Sequence, residues 1–184
     1  MYLGIIANSN PKSVTEKAKK YSHLILKYAK ENNHTILNGG CNGIIEYINT
    51  SCEKNNIVFN IYSPALNLDE HKELYNYTLN SCKYIFEKDH EKHLNYRFLS
   101  RSLPLVYNSD VVFVFYGMWG TLSELVLATM MGKKIVFLLE DNKHQLKDVY
   151  NLISSYNNFN YNETAYFVNT ITELDNLLNN QLNI

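Results

Sequence analysis

Arginine is almost missing from this chain: Arg97 and Arg101 are the only two in 184 residues. No block rich in lysine makes up for them. The 17 Lys and Arg stand against 18 Asp and Glu, a formal net charge of -1. A protein that grips a nucleic-acid backbone carries a basic excess or patch, so DNA or RNA as the main partner is not expected. Lysine is a point charge and does not reproduce the bidentate fork of a guanidinium. Each arginine is therefore worth a question about its purpose.

Long apolar runs are missing too. No stretch approaches 18 apolar residues, and the chain opens on MYLGIIANSN, without a basic leader ahead of an apolar segment. Neither a membrane span nor a signal peptide is indicated, and a cytoplasmic location is expected. Cysteine is scarce: Cys41, Cys52 and Cys82 are odd in number and form no Cys-x-x-Cys pair, which reads as reduced structural thiols. No histidine is tied to any of them by a known motif, so they are no catalytic set. Sequons such as Asn76-Tyr77-Thr78 lack a secretory context and carry little weight.

What is present is a globular composition, 46% hydrophobic and 19% charged, at a length that suits one domain over residues 1–184. Short apolar runs alternate with helix-length segments. Tyr2–Ala7, Thr35–Leu37, Ile57–Tyr62, Cys82–Phe86, Val111–Phe115, Lys134–Leu139 and Ala165–Val168 read as strands. Helices are expected from Pro11, over Ile44–Glu53, through Leu94 to Tyr107, over Thr121–Met131, near Gln145–Ser155 and from Thr172. Residues 65–81 read as mixed helix and loop, and the asparagine-rich stretch Asn157–Asn162 as a surface loop. Strands apolar on both faces with helical crossovers point to parallel pairing. The fold class is a single-domain, Rossmann-like, doubly wound α/β fold with helices on both faces of a mostly parallel sheet.

Two glycine turns each follow a strand and precede a helix. In Gly39-Gly40-Cys41-Asn42-Gly43, backbone N–H groups can approach an anion at the helix start. This is neither GxGxxG with an acidic partner nor GxxxxGK[ST], so dinucleotide and P-loop chemistry are not assigned. The second turn is Gly117-Met118-Trp119-Gly120-Thr121. Thr121 can cap its helix, and the N–H groups of residues 120–123 suit a phosphate. Each turn alone also reads as a simple tight turn; two at the C-terminal edge of one parallel sheet favour an anion site. Glu124 follows near the first helical turn. There it is either an acid favourable to the helix dipole or a catalytic carboxylate with Arg101 as its partner.

The order Arg101, Ser109-Asp110, the strand Val111–Phe115 and Gly117-Met118-Trp119-Gly120-Thr121-Leu122-Ser123-Glu124 resembles the LOG family, called lysine decarboxylase-like in older usage. That family includes cytokinin-type nucleoside 5'-monophosphate phosphoribohydrolases, and its hallmark is PGGxGTxxE with an arginine some twenty residues upstream. Gly39-Gly40-x-x-Gly43 is similar to its first glycine turn, and Asn8-Ser9 to its loop after the first strand. The resemblance covers about residues 2–140. It implies Arg101 and Glu124 as catalytic residues, with Asn8, Ser9, Gly39, Gly40, Gly43, Gly117, Met118, Trp119, Gly120 and Thr121 around substrate and phosphate.

The pattern departs in four places. Tyr116 stands for the motif's proline, Met118 for its second glycine, Ser102 for the lysine after the arginine, and Ser123 for a first glutamate. A side chain at Met118 is penalised where the backbone is left-handed or a phosphate comes close. Trp119 is placed to stack on a base or to close the pocket.

The implied reaction is hydrolysis of the N-glycosidic bond of a nucleoside 5'-monophosphate, with no cofactor and no metal. The alternative is a non-catalytic sensor that binds a nucleotide or phosphorylated ribose derivative. A homodimer is expected, from the apolar helix Leu125–Met131 and from the resemblance. Met130 and Met131 read as core or subunit contact. His90-Glu91-Lys92-His93 lacks a definite third ligand and reads as a solvated helix segment.

Overall fold

Apolar runs of four or five residues form the strands of the computed structural model, which describes residues 1–88, 93–139, 145–156 and 165–182. They are β1 (Tyr2–Ile6), β2 (Thr35–Asn38), β3 (Phe59–Ser63), β4 (Lys83–Phe86), β5 (Val111–Val114), β6 (Lys134–Leu138) and β7 (Ala165–Val168). The helices are α1 (Glu16–Glu31), α2 (Ile44–Asn55), α3 (Leu68–Tyr75), α4 (Leu94–Tyr107), α5 (Trp119–Met130), α6 (Gln145–Tyr156) and α7 (Ile171–Asn180). All seven strands pair in parallel in one sheet, in the order β4-β3-β2-β1-β5-β6-β7. The expected α/β fold is the observed one, and among the described residues every strand pairing is parallel.

Strand order reverses between β1 and β5. The chain moves outward from β1 to β4, then returns through α4 to lay β5 against the other side of β1. In open parallel sheets the crevice beyond the strand ends at such a reversal is where ligands bind. A backbone bond from Asn8 N to Tyr116 O (2.9 Å) ties the loops leaving β1 and β5 across it. At the opposite end, Tyr2 N donates to Asp110 Oδ2 at 2.7 Å across a sequence gap of 108 residues.

Side chains alternate between two buried layers, as the strand period requires. Leu3, Ile5, Val111 and Phe113 face α1, α2 and α7. Ile6, Val112 and Val114 face the other layer, where Leu125 and Ala128 of α5 and Leu105 and Val106 of α4 pack. Burial on both faces is why these strands are unbroken apolar runs.

Element boundaries differ from the sequence expectation at several helix ends. Pro11 opens only a short 3-10 turn, Pro11–Ser13; α1 begins after Thr15, whose side chain accepts from Ala18 N. The segment read as mixed resolves into α3, capped by the Asn67 side chain and ended by Asn76 in the left-handed region. α5 begins two residues before the expected Thr121, at Trp119. Residues 157–162 of the asparagine-rich loop lie outside the described residues, as do His90, Glu91 and Lys92. His93 is the N-cap of α4, its side chain accepting from Asn95 N.

A buried amide pair fixes the first glycine turn to the sheet. Asn38, the last residue of β2, donates to Asn49 Oδ1 at 2.6 Å, while its own Oδ1 accepts from Asn49 Nδ2 (3.1 Å) and Gly40 N (2.9 Å). Tyr77 receives the second Asn49 hydrogen at 3.2 Å and donates to Gly40 O at 2.9 Å. Each member is satisfied, which makes the loss of one costly. Asn38→Ala strands the Asn49 amide and the Gly40 N–H. We expect a loss of about 3 kcal/mol in urea unfolding; a loss under about 1 kcal/mol would mean the network contributes little to stability.

Candidate functional site

Three strand ends build the site. Asn8 and Ser9 leave β1, Gly39–Gly43 leave β2, and Tyr116–Met118 leave β5. The β1 loop lies between the two glycine turns and touches both. Besides the Asn8–Tyr116 bond, a Cβ on Gly43 would lie 3.0 Å from Asn8 O and 3.1 Å from Asn10 O. Gly43 also holds φ of +76°, so the N-cap of α2 accepts only glycine without strain. Asn8 shapes its own loop, its Oδ1 accepting from Asn10 N at 2.9 Å, and Ser9 is exposed.

Arg101 and Glu124 meet. Arg101 Nη2 stands 3.5 Å from Glu124 Oε1, and Ser102 Oγ donates to the same oxygen at 3.1 Å. Arg101 Nη1 reaches Tyr62 O at 3.5 Å. Glu124 is 4% exposed. Both contacts fall on Oε1, so Oε2 is the oxygen free to face a ligand. The guanidinium lies against the first glycine turn: a Cβ on Gly39 would fall on Arg101 Nη1 and Cζ. Gly39 is thus required by the arginine's position and not by its own torsions. Gly40, at φ of +67°, packs against Ile61 and His71.

Four expectations about the second turn need correction. Thr121 is not the cap. The N-cap of α5 is Met118, which makes no side-chain capping bond, and Thr121 is buried against Gly117. Leu122 N already donates to Met118 O at 2.8 Å, so the unengaged first-turn N–H groups belong to residues 119–121 and not to 120–123. Glu124 lies in the second turn of α5, so the dipole-favoured acid is not what it is. It points inward because α5 packs on α4. Met118 has φ of -114° and ψ of -147°. Its φ is negative, so the expected left-handed strain is absent. Its side chain is 63% exposed and that of Trp119 80%, both at the mouth, while a Cβ on Gly120 would meet nothing within 4 Å.

Burial pushes the Glu124 carboxyl above its ordinary value, with Arg101 and the Ser102 hydroxyl pulling it partly back. A buried acid, tuned upward beside a guanidinium at a ligand-side crevice, is the pattern of a group with chemistry to do. The neighbouring Cys41 thiol is pushed up to about 11, chiefly by burial, and stays protonated. Arg97 has a structural task. It forks onto Glu70 with bonds of 2.7 and 3.1 Å, tying α4 to α3. Among the described residues no group of three His, Cys, Asp or Glu is placed to hold a metal ion.

Sequence reasoning missed Ser102, Asn38, Asn49 and Tyr77. Ser102 had a signal, since it replaces the lysine of the motif directly after Arg101. The other three had none, because their roles arise from contacts between α2, β2 and the segment after α3.

Comparisons with known proteins bear on the family and the fold. A family model described as LDcluster4, the SLOG cluster4 family, matches residues 1–166. Among curated proteins none matches the chain closely enough to count as a relative. Solved structures share the fold at low identity. The protein TM1055 is 18% identical with a TM-score of 0.69, the match covering 97% of this chain and 98% of that one. A molybdenum cofactor binding protein from the phototrophic bacterium Rippkaea orientalis is 19% identical with a TM-score of 0.67, over 97% and 94%. DNA processing protein A from Helicobacter pylori, described with a single-stranded DNA binding mode, is 20% identical with a TM-score of 0.67, over 97% and 80%.

The raised Glu124 value fixes the sign of a pH effect. Its folded value lies above the unfolded value near 4.5, so the native state holds the proton more tightly. Its contribution to stability is complete below that unfolded value and is lost as pH rises through the folded one. Urea midpoints of wild type and Glu124→Gln, measured from acid to neutral pH, should diverge in that window, the wild type falling relative to the variant. A difference that grows in favour of the wild type with rising pH would contradict the assignment.

Proposed function

The chain belongs to the SLOG cluster4 family, and from that premise we propose that it hydrolyses the N-glycosidic bond of a nucleoside 5'-monophosphate to free base and ribose 5-phosphate. The observation that carries the reading is the buried Glu124, held by Arg101 and Ser102 at the strand-order reversal. The free N–H groups of residues 119–121 and the turn at residues 39–43 receive the phosphate. The open space beside Gly120 lets it approach the backbone. Arg101 orients sugar or phosphate oxygens, and exposed Trp119 offers a face to the base. The bond from C1' to the base nitrogen breaks with its electron pair going to the base. Glu124 stands against the positive charge developing at C1' and takes a proton from the attacking water, whose oxygen ends on C1'. That proton, or one from solvent, completes the departing base. No cofactor or metal enters this scheme.

The second reading is a sensor that binds such a ligand without cleaving it. Its support is Met118, which puts an exposed thioether at a turn where the motif has glycine. The structural likeness to a molybdenum cofactor binding protein also fits a binding role. Single-stranded DNA, named for another structural relative, is disfavoured by the net charge of -1. A cytoplasmic place is part of this proposal, and no helix among the described residues is long and apolar enough to cross a membrane.

The protein acts as a homodimer in this reading. A cavity of about 680 Å³ between α4 and α5 is lined by Tyr96, Leu99, Leu103, Trp119, Leu122 and Val126, with no charged residue among its walls. Light scattering at micromolar concentration should give twice the 21.4 kDa chain mass. A monomer mass throughout would reject the dimer.

The function itself is tested by calorimetric binding of AMP beside chromatographic base release. Glu124→Gln should retain affinity while turnover falls by about two orders of magnitude or more. Arg101→Lys should lose both, because a point charge does not replace the fork. Turnover in Glu124→Gln equal to wild type would refute the catalytic role. Binding without release by the wild type would favour the sensor.

A further inference from the structure

One buried polar group beside this site has no use in the scheme above. Tyr75, the last residue of α3, is 7% exposed, and its hydroxyl has no hydrogen-bond partner. A buried phenol without a partner is uncommon and costs stability. Its position is no accident of packing. The Tyr75 carbonyl accepts from Asn42 Nδ2 at 2.7 Å, which fastens the end of α3 to the first glycine turn. Its ring packs on that of His71, centroids 4.9 Å apart, and His71 in turn abuts Gly40. The charges of Arg101 and Glu124 both bear on the hydroxyl.

His71 offers a useful contrast. Its Nε2 also lacks a partner. Its Nδ1 shares a hydrogen bond of 2.8 Å with Ser63 Oγ, which also accepts from Ala65 N at 3.1 Å. The imidazole lies at an edge-to-face angle to the rings of Tyr77 and Tyr84, with centroids 5.8 and 5.0 Å away. Burial pushes His71 down to about 4, so it is neutral. Nothing comparable receives the Tyr75 hydrogen.

Charge narrows what that hydrogen can meet. Arg101 is paired with Glu124, and Tyr75, Cys41 and His71 are neutral, so no unpaired cation stands beside the hydroxyl, and the phosphate is left to the backbone N–H groups of the glycine turns. This corner offers donors from Tyr75 and Arg101 beside one carboxylate acceptor. A sugar hydroxyl fits this set, since it accepts from one side and donates to the other. Arg101 is the movable wall, because both of its polar contacts are 3.5 Å long and its Nε has no partner.

We infer that Tyr75 is a specificity-determining residue, whose hydroxyl donates to a sugar hydroxyl of the bound ligand once the Arg101 side chain shifts toward that ligand. The inference rests on the phosphoribosyl reading of the site and assigns the sugar, not the phosphate, to this corner.

Tyr75→Phe tests it, with ribose 5-phosphate and inorganic phosphate as calorimetric probes. Removing an unpartnered hydroxyl should leave the thermal midpoint unchanged or raised. Affinity for ribose 5-phosphate should fall about tenfold, the scale of one lost hydrogen bond, while affinity for inorganic phosphate stays at the wild-type level. Equal ribose 5-phosphate affinity in both proteins overturns the role of Tyr75 and leaves the functional reading standing. A marked drop in the thermal midpoint also overturns it, by showing that the hydroxyl serves the free fold. A wild type that binds neither ribose 5-phosphate nor AMP removes the functional reading and this inference together.

Discussion

A carboxylate and a guanidinium, both withdrawn from water, hold each other in place at the mouth of the sheet. Alone, either charge would cost several kcal/mol to bury; together, with the Ser102 hydroxyl, they are tolerated. Much of the surrounding structure follows from keeping them side by side. α4 and α5 pack so that Arg101, Ser102 and Glu124 face one another, and Gly39 gives up a side chain so that the guanidinium can lie on the turn. The amide network of Asn38 and Asn49 then keeps that turn on the sheet. Burial still outweighs the pairing, since Glu124 remains tuned upward. Glu124 therefore takes up a proton more readily than an exposed carboxylate does.

Layers and strands are largely legible in the sequence. Val111–Val114 and Ile135–Leu138 are apolar without interruption because water reaches neither face. Glycine spacing after two strands marked the ligand edge. The helix start at α5 was misread because Thr121 is a good capping residue by type, and no local rule foretold that uncapped Met118 would hold that position. That error moved Glu124 into a first turn it does not occupy. Residues 65–81 were unreadable by periodicity because α3 is only eight residues long. Its ends are set by two asparagines, one accepting from Glu70 N and the other left-handed.

Site residues divide along the same line. Arg101, Glu124 and the glycines are legible because a motif has order and spacing. Tyr75, Tyr77 and Asn49 reach the site from elements that no motif links to it. Their contacts span 11 to 37 residues along the chain, and in a sequence rich in tyrosine and asparagine nothing sets them apart. Such residues become visible only by accounting for every buried donor and acceptor.

The return of β5 to the flank of β1 has a kinetic side. The bond between Tyr2 and Asp110 closes a loop of 108 residues, and parallel pairing across such a gap forms slowly, because chain entropy is lost before the contact is gained. On a ribosome, Gly39 and its turn emerge long before Arg101, and Arg101 before Glu124. An unfinished chain can therefore hold β1 to β3 and the first glycine turn, yet possess neither charge of the pair in place. On the proposed function, ligand affinity arises late, when the second half of the sheet docks. Ligand added during refolding should accordingly leave the early phases unaltered and act on the last one, by slowing its reversal.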